Sequence, residues 1–162
     1  MSLSFWITFG LISVWLTYTY FKLRVKNSIY NNRNQLLQQL DYDHPEYPTF
    51  LGFFHPYCDA GGGGERVLWT AIRDVQREFS DILCVIYTGD TGVTKEQIIH
   101  KVKMRFNIEL DAKRLAFIFL EKRYLVEGSR YPRFTLILQS LGSIILGYEA
   151  LTKLVPDVFF GK

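Results

Sequence analysis

The sequence predicts an α/β chain: a parallel sheet covered on both faces by helices, preceded by one transmembrane helix. Three observations carry this expectation. Short β-branched and apolar runs alternate with longer amphipathic ones, the pattern of βαβ units. The strand-like runs are apolar throughout and do not alternate, as strands buried on both faces require. Residues 3–21 (LSFWITFGLISVWLTYTYF) carry no charge at all.

The uncharged N-terminal run comes first. As a helix rising about 1.5 Å per residue it reaches about 28 Å, close to the hydrocarbon thickness of a bilayer. Lys22, Arg24, Lys26 and Arg33 follow it with no acid before Asp41, whereas residues 1–4 carry no charge. A cleaved signal peptide wants the reverse flank and a small-residue cleavage site. Residues 1–22 are therefore expected to form an uncleaved anchor. The positive-inside rule puts its N-terminus in the lumen and the rest of the chain in the cytosol. Residues 23–48 (LRVKNSIYNNRNQLLQQLDYDHPEYP) read as a polar linker with a short helix near residues 33–40, closed by Pro45 and Pro48.

Residues 49–162 are expected to be the α/β domain. Residues 49–55 (TFLGFFH) form a buried strand ending at Pro56. Val67, Leu68, Ala71, Ile72, Val75 and Phe79 recur at helical spacing. Residues 82–88 (ILCVIYT) are a second strand, bounded by Asp81 and Gly89-Asp90. Residues 95–106 are a helix with Thr94 as its N-cap. Residues 115–120 (LAFIFL) give a third strand, 131–154 a long apolar helix, and 156–160 (PDVFF) the start of a fourth strand. A doubly wound nucleotide domain runs on for several more strands, so a larger protein is expected.

Composition narrows the functional classes. The 162 residues are 48% hydrophobic and 16% aromatic, which excludes a disordered chain. The net charge of +3 gives no reason to expect nucleic acid as a partner. Two cysteines, Cys58 and Cys84, make no disulfide framework.

The strongest chemical signal is HPYCDAGGGGERV, residues 55–67. Four glycines between a strand and a helix permit positive φ and close approach of a ligand, and the helix N-terminus aims N–H groups at the same place. That suits phosphate or pyrophosphate at the carboxyl end of a strand. A P-loop is excluded because Glu65-Arg66 follows Gly64. The dinucleotide fingerprint G-x-G-x-x-G fails because Arg66 and Val67 stand where its last glycine belongs, which disfavours a nicotinamide oxidoreductase. A purely structural reading, a tight turn with close helix–strand packing, competes with the phosphate one.

The blocks HPYC-x-AGGGGERVLW and SLGS-x-x-LG-x-EAL, together with ILCVIYTGD, RFNIEL, FIFLEKRYLVE and PDVFF, closely resemble the N-terminal region of a eukaryotic family. This is the family of GDP-mannose-dependent α-1,2-mannosyltransferases of N-glycan precursor assembly. The resemblance runs from about residue 51 to 159. It implies the N-terminal, acceptor-side Rossmann-like half of a two-domain GT-B glycosyltransferase, transferring mannose with retention to the trimannosyl core on dolichol pyrophosphate. The work would be done at the cytosolic face of the endoplasmic reticulum membrane. Gly61, Gly62, Gly63 and Gly64 would contact the donor diphosphate, with no cofactor and no metal expected beyond GDP-mannose as substrate. The partners implied are membrane lipid, the lipid-linked oligosaccharide acceptor and other mannosyltransferases of the pathway. The family enzyme is far longer, so the chain by itself is expected to be inactive, and no catalytic residue is assigned. The competing class is a non-catalytic, membrane-anchored Rossmann-like module that binds a partner or the lipid-linked glycan.

Weaker signals complete the reading. His55 and Asp59 flank the loop and could contact the acceptor or act as a base, though a His-Pro strand end with an Asx turn accounts for them too. Arg66 suits a phosphate or an exposed helix surface equally. Cys58 reads as a packing residue, and His44 and His100 as surface. Residues 95–133 hold ten basic against five acidic side chains, either solvated faces or a surface toward anionic lipid or the acceptor pyrophosphate. Residues 134–148 are uncharged; a buried core helix is the default, and shallow insertion beside Arg130 and Arg133 the alternative.

Overall fold

A computed structural model describes residues 3–42, 45–58, 62–131 and 133–161, with the side chains of the first helix from Leu11 onward. The chain divides into two compact units, residues 1–35 and 36–162.

Helix α1 spans Leu3–Gln39. It continues through residues 23–39, where a polar spacer with only a short helix is expected. The reason is local: no proline interrupts the chain before Pro45, and Asn, Gln, Lys and Arg are all tolerated in a helix. Asp41, with φ 48°, ends it. Within the first unit, apolar side chains face outward on every side: Leu11, Ile12, Val14, Trp15, Leu16, Tyr18 and Phe21 are each more than half exposed. The hydroxyls of Thr17 and Thr19 donate back to the carbonyls of Ser13 (2.8 Å) and Trp15 (2.7 Å), so both are satisfied within the helix.

The second unit is the expected α/β domain. Strands β1 (Thr49–Phe54), β2 (Ile82–Thr88), β3 (Leu115–Phe119) and β4 (Val158–Gly161) form one parallel sheet in the order β3-β2-β1-β4. Helices α2 (Gly63–Glu78), α3 (Lys95–Phe106) and α4 (Thr135–Lys153) connect them. This is the topology of a Rossmann-like half-domain.

Side-chain alternation along the strands divides the core in two. Phe53, Cys84, Ile86 and Leu115 face Leu68, Trp69 and Ile72 of α2 and Ile98 and Val102 of α3. Phe50, Leu83, Val85, Tyr87 and Ala116 face Leu146 and Ala150 of α4, joined by Leu36, Leu37, Leu40 and Tyr42. The end of the expected linker is thus part of the domain's core. Gly52 sits at the centre of β1 because Pro156 lies against it: a Cβ there would be 2.8 Å from Pro156 Cγ.

The long apolar segment departs from expectation at its start. Two 3₁₀ turns, Glu121–Val126 and Gly128–Arg130, precede α4, and Phe134 takes a left-handed conformation (φ 56°) at its N-cap. Only one face of α4 is core: Gly142, Leu146, Glu149 and Ala150 are buried. Phe134, Ile137, Leu141, Ile144, Tyr148 and Leu151 form an exposed stripe at three-to-four spacing, so the default of a buried core helix holds for half its circumference. By length and composition α4 is also long and apolar enough to cross a membrane, a property that core helices share.

Candidate functional site

The glycine segment leaves β1, the strand at which the sheet order reverses, so it lies where ligands of open α/β sheets bind. Backbone bonds hold its beginning against β2. The His55 N–H donates to the Tyr87 carbonyl and the Gly89 N–H to the Pro56 carbonyl, both at 3.0 Å. Cys58 is buried and its thiol donates to the His55 carbonyl at 3.2 Å, in keeping with a packing residue. Cys84 is fully buried, and burial pushes its thiol pKa up to about 12.

Gly62 is the N-cap of α2, with extended backbone at φ −85° and ψ 176°. Gly63 and Gly64 form the first helical positions, and neither takes a left-handed φ. Among the described residues, a Cβ added at Gly62, Gly63 or Gly64 would meet no atom within 4 Å. At these three positions the fold therefore needs glycine neither for backbone conformation nor for packing, which removes the tight-turn explanation there. First-turn N–H groups have no acceptor inside a helix, and a glycine N-cap has no side chain to offer them one. What glycine leaves is bare, exposed backbone at the positive end of the helix.

The two charged residues after the glycines part company. Glu65 is buried at 5% exposure, with the Gly62 N–H pointing to its carboxylate at 3.5 Å. Arg66 is exposed and lines an open depression on the outer face of α2 with Gly63, Val67, Thr70 and Asp74. Of the residues expected at the site, Gly62, Gly63, Gly64 and Arg66 thus share one exposed helix start, and His55 stands at the strand end behind it. Asp59 and Gly61 lie outside the described residues. Among the described residues no three His, Cys, Asp or Glu side chains are grouped so as to hold a metal ion.

Two features of this edge escape sequence reasoning. Glu149, a lone acid in an apolar helix, is buried and accepts the N–H groups of Glu121 (2.8 Å) and Lys122 (3.1 Å), with Lys153 Nζ 3.0 Å away. Burial pushes its pKa up, but these donors outweigh that and hold it below the usual glutamate value. Its isolation in the sequence was the available signal. The second feature is the pairing of Arg123 with Asp90 across two loops, which no spacing announces.

The family described as the ALG11 mannosyltransferase N-terminus matches residues 48–162. Relatives called GDP-Man:Man(3)GlcNAc(2)-PP-Dol alpha-1,2-mannosyltransferase are similar to the same region. The protein from Xenopus tropicalis is 62% identical over 109 residues, which cover 67% of this chain and 22% of the relative. The human protein is 57% identical over 109 residues, with the same two shares. That of Kluyveromyces lactis is 50% identical over 125 residues, 77% of this chain and 22% of the relative. The chain thus spans about a fifth of the length of the curated relatives it matches. No solved structure matches it. With more than two thirds of its length matched to one family and identities of this size, the chain belongs to the ALG11 mannosyltransferase N-terminus family.

Proposed function

We propose that this chain is the N-terminal, acceptor-side half of a GT-B α-1,2-mannosyltransferase. The reaction moves mannose from GDP-mannose, with retention, to the trimannosyl core on dolichol pyrophosphate. The observation that carries the reading is the glycine run: three residues that the fold does not require to be glycine, at the start of a helix, within the region shared with relatives named for this reaction. The exposed N–H groups of Gly63 and Gly64 and the dipole of α2 stabilise the donor diphosphate as GDP departs, with Gly61 and Gly62 completing the loop, a preorganised electrostatic device that operates without a metal. Arg66, exposed beside them, supplies a positive charge to the same phosphates. His55 and Asp59 would serve the acceptor.

The membrane holds the domain beside its lipid-linked acceptor. The outward-facing apolar side chains of α1 between Leu11 and Phe21, and the cations that follow, support a single-pass anchor in the endoplasmic reticulum membrane with a lumenal N-terminus. The exposed stripe of α4, with Arg130 and Arg133 before it, supports a second, shallow contact with lipid near the dolichol chain. Other mannosyltransferases of the pathway are the protein partners this location favours.

The test is mannose transfer from GDP-mannose to a dolichol-pyrophosphate trimannosyl acceptor. The chain is assayed by itself and joined to the C-terminal portion of the Xenopus tropicalis relative. Transfer by the joined protein supports the reading. Two folded proteins without transfer, binding the lipid-linked glycan nonetheless, would instead make the chain a non-catalytic binding module.

A further inference from the structure

Three connections at the carboxyl edge of the sheet meet on one guanidinium. Arg123, in the 3₁₀ segment after β3, pairs with the carboxylate of Asp90 in the β2–α3 connection. Its Nε lies 3.4 Å from Glu127, and its guanidinium stacks over the ring of Tyr57, 4.7 Å from the centroid. Tyr57 belongs to the loop that leads into the glycines. The arginine stem passes over Gly89, where a Cβ would come within 2.6 and 2.7 Å of Arg123 Cβ and Cγ. Glycine at 89 is what lets the arginine cross. Both partners of the ion pair are sheltered, at 27% and 16% side-chain exposure.

Arg123 is itself held from behind. Glu149 caps the start of its 3₁₀ segment, the Tyr131 hydroxyl donates to the Leu125 carbonyl (2.9 Å), and the Gln139 amide donates to the Val126 carbonyl (2.9 Å). Gly142 of α4 lets this segment lie close: a Cβ there would be 2.8 Å from the Leu125 carbonyl carbon. A fixed support thus ends in a planar cation against the ring of Tyr57, the residue before Cys58, where the loop is pinned. A guanidinium can stack on a ring and pair through its fork at the same time, whereas an ammonium cannot.

We propose that Arg123 is a positioning residue for the glycines that start α2: it fixes the chain ahead of them at Tyr57, with Asp90 and Glu127 holding the arginine in place, and does not itself touch the anionic group. This rests on the reading of the glycine loop as the diphosphate site. Two measurements separate the two claims. Amide exchange at residues 66–68, whose N–H groups bond back to the carbonyls of residues 62–64 in the first turn of α2, reads the end of the loop directly, and steady-state kinetics of the joined enzyme read the donor site. Arg123→Lys and Tyr57→Leu are expected to speed exchange at 66–68 at least tenfold while α3 amides keep their rates. Tyr57→Phe, which keeps the ring, is expected to match the parent. The combination of Tyr57→Leu with Arg123→Lys should be no worse than the worse single change, because both break one contact. In the joined enzyme Arg123→Lys is expected to raise KM for GDP-mannose at least tenfold and KM for the acceptor less than twofold. Tyr57 is 43% exposed, so its variants fold even where an Arg123 variant does not. Unchanged exchange in Tyr57→Leu overturns the positioning role whatever the kinetics show. Faster exchange with an unchanged donor KM overturns the proposal through the diphosphate reading on which it rests.

Discussion

Replacing Gly63 and Gly64 together by alanine separates what the fold needs from what the ligand needs. Both residues are helical positions of α2, neither has a left-handed φ, and an added Cβ at either meets nothing within 4 Å. Alanine therefore narrows the unfolded ensemble and improves helix propensity without strain. Each change is worth about 0.5 kcal/mol at a first turn, the lower end of the interior range. The pair stabilises by about 1 kcal/mol and raises Tm by about 3–6 °C for a domain of this size. Binding responds in the opposite sense. Two methyl groups stand where diphosphate oxygens must come within hydrogen-bond distance of the backbone, and overpacking of that kind costs about 1–3 kcal/mol. At about 1.4 kcal/mol per decade, KM for GDP-mannose rises about 5- to 150-fold. Thermal unfolding and steady-state kinetics on the same preparation give both numbers. A lower Tm would refute the claim that the fold does not need these glycines. A higher Tm with an unchanged KM would refute the close approach of the diphosphate.

Four further outcomes are expected. Glu149→Ala leaves the part-buried N–H groups of Glu121 and Lys122 without their carboxylate acceptor and costs about 2 kcal/mol in urea unfolding. Because the folded-state pKa of Glu149 lies below the usual value of 4.5, its ionised form favours the folded state. That contribution is complete above the usual glutamate range and is lost as pH falls through it toward the folded-state value. Unfolding midpoints followed from about pH 6 to about pH 3 should therefore fall less steeply in Glu149→Gln than in the parent. Trp69 is fully buried and its indole N–H has no hydrogen-bond partner among the described residues, so Trp69→Phe is expected to cost less than about 2 kcal/mol while Trp69→Ala costs about 3–5 kcal/mol in chemical unfolding. Finally, Ile137→Ser with Ile144→Ser, in a version lacking residues 1–35, should weaken binding to anionic liposomes at least tenfold with Tm unchanged, since both side chains are exposed.

Legibility from sequence followed the strength of local punctuation. Strand β2 and helix α3 fall where expected because Asp81, Gly89-Asp90 and the Thr94 cap mark their ends independently of tertiary contacts: the Thr94 hydroxyl takes the Gln97 N–H and the Gln97 amide oxygen takes the Thr94 N–H. Helix α1 overran its expected end because polar residues lower hydrophobicity without breaking a helix, and composition was read there as flexibility. Helix α4 starts at Thr135, four residues later than expected, because Phe134 takes a left-handed conformation at its N-cap, which an apolar sequence does not announce. At the site, the glycine run was visible, but its reason was not. Positive φ was the expectation, and only coordinates show that residues 62–64 have ordinary backbone with open space around them. Tyr57, Asp90 and Arg123 stand too far apart in sequence for any pattern to join them.

The clasp between β4 and β1 has a consequence for how the chain is made. Asp157 accepts the Phe50 N–H through its carboxylate (2.9 Å) and returns its own N–H to the Phe50 carbonyl (2.8 Å), at a sequence separation of 107. The β1–β2 and β2–β3 pairings join neighbouring segments and are available once β3 has left the ribosome, whereas the β1–β4 pairing waits for the last residues of the sheet. During that interval β1 is an edge strand with the open hydrogen-bonding row of Leu51 to Phe54, bearing two phenylalanines. Synthesis speed between residues 120 and 160 thus sets how long that edge stays open to other chains, and slower translation there should show as more aggregated product at equal final stability.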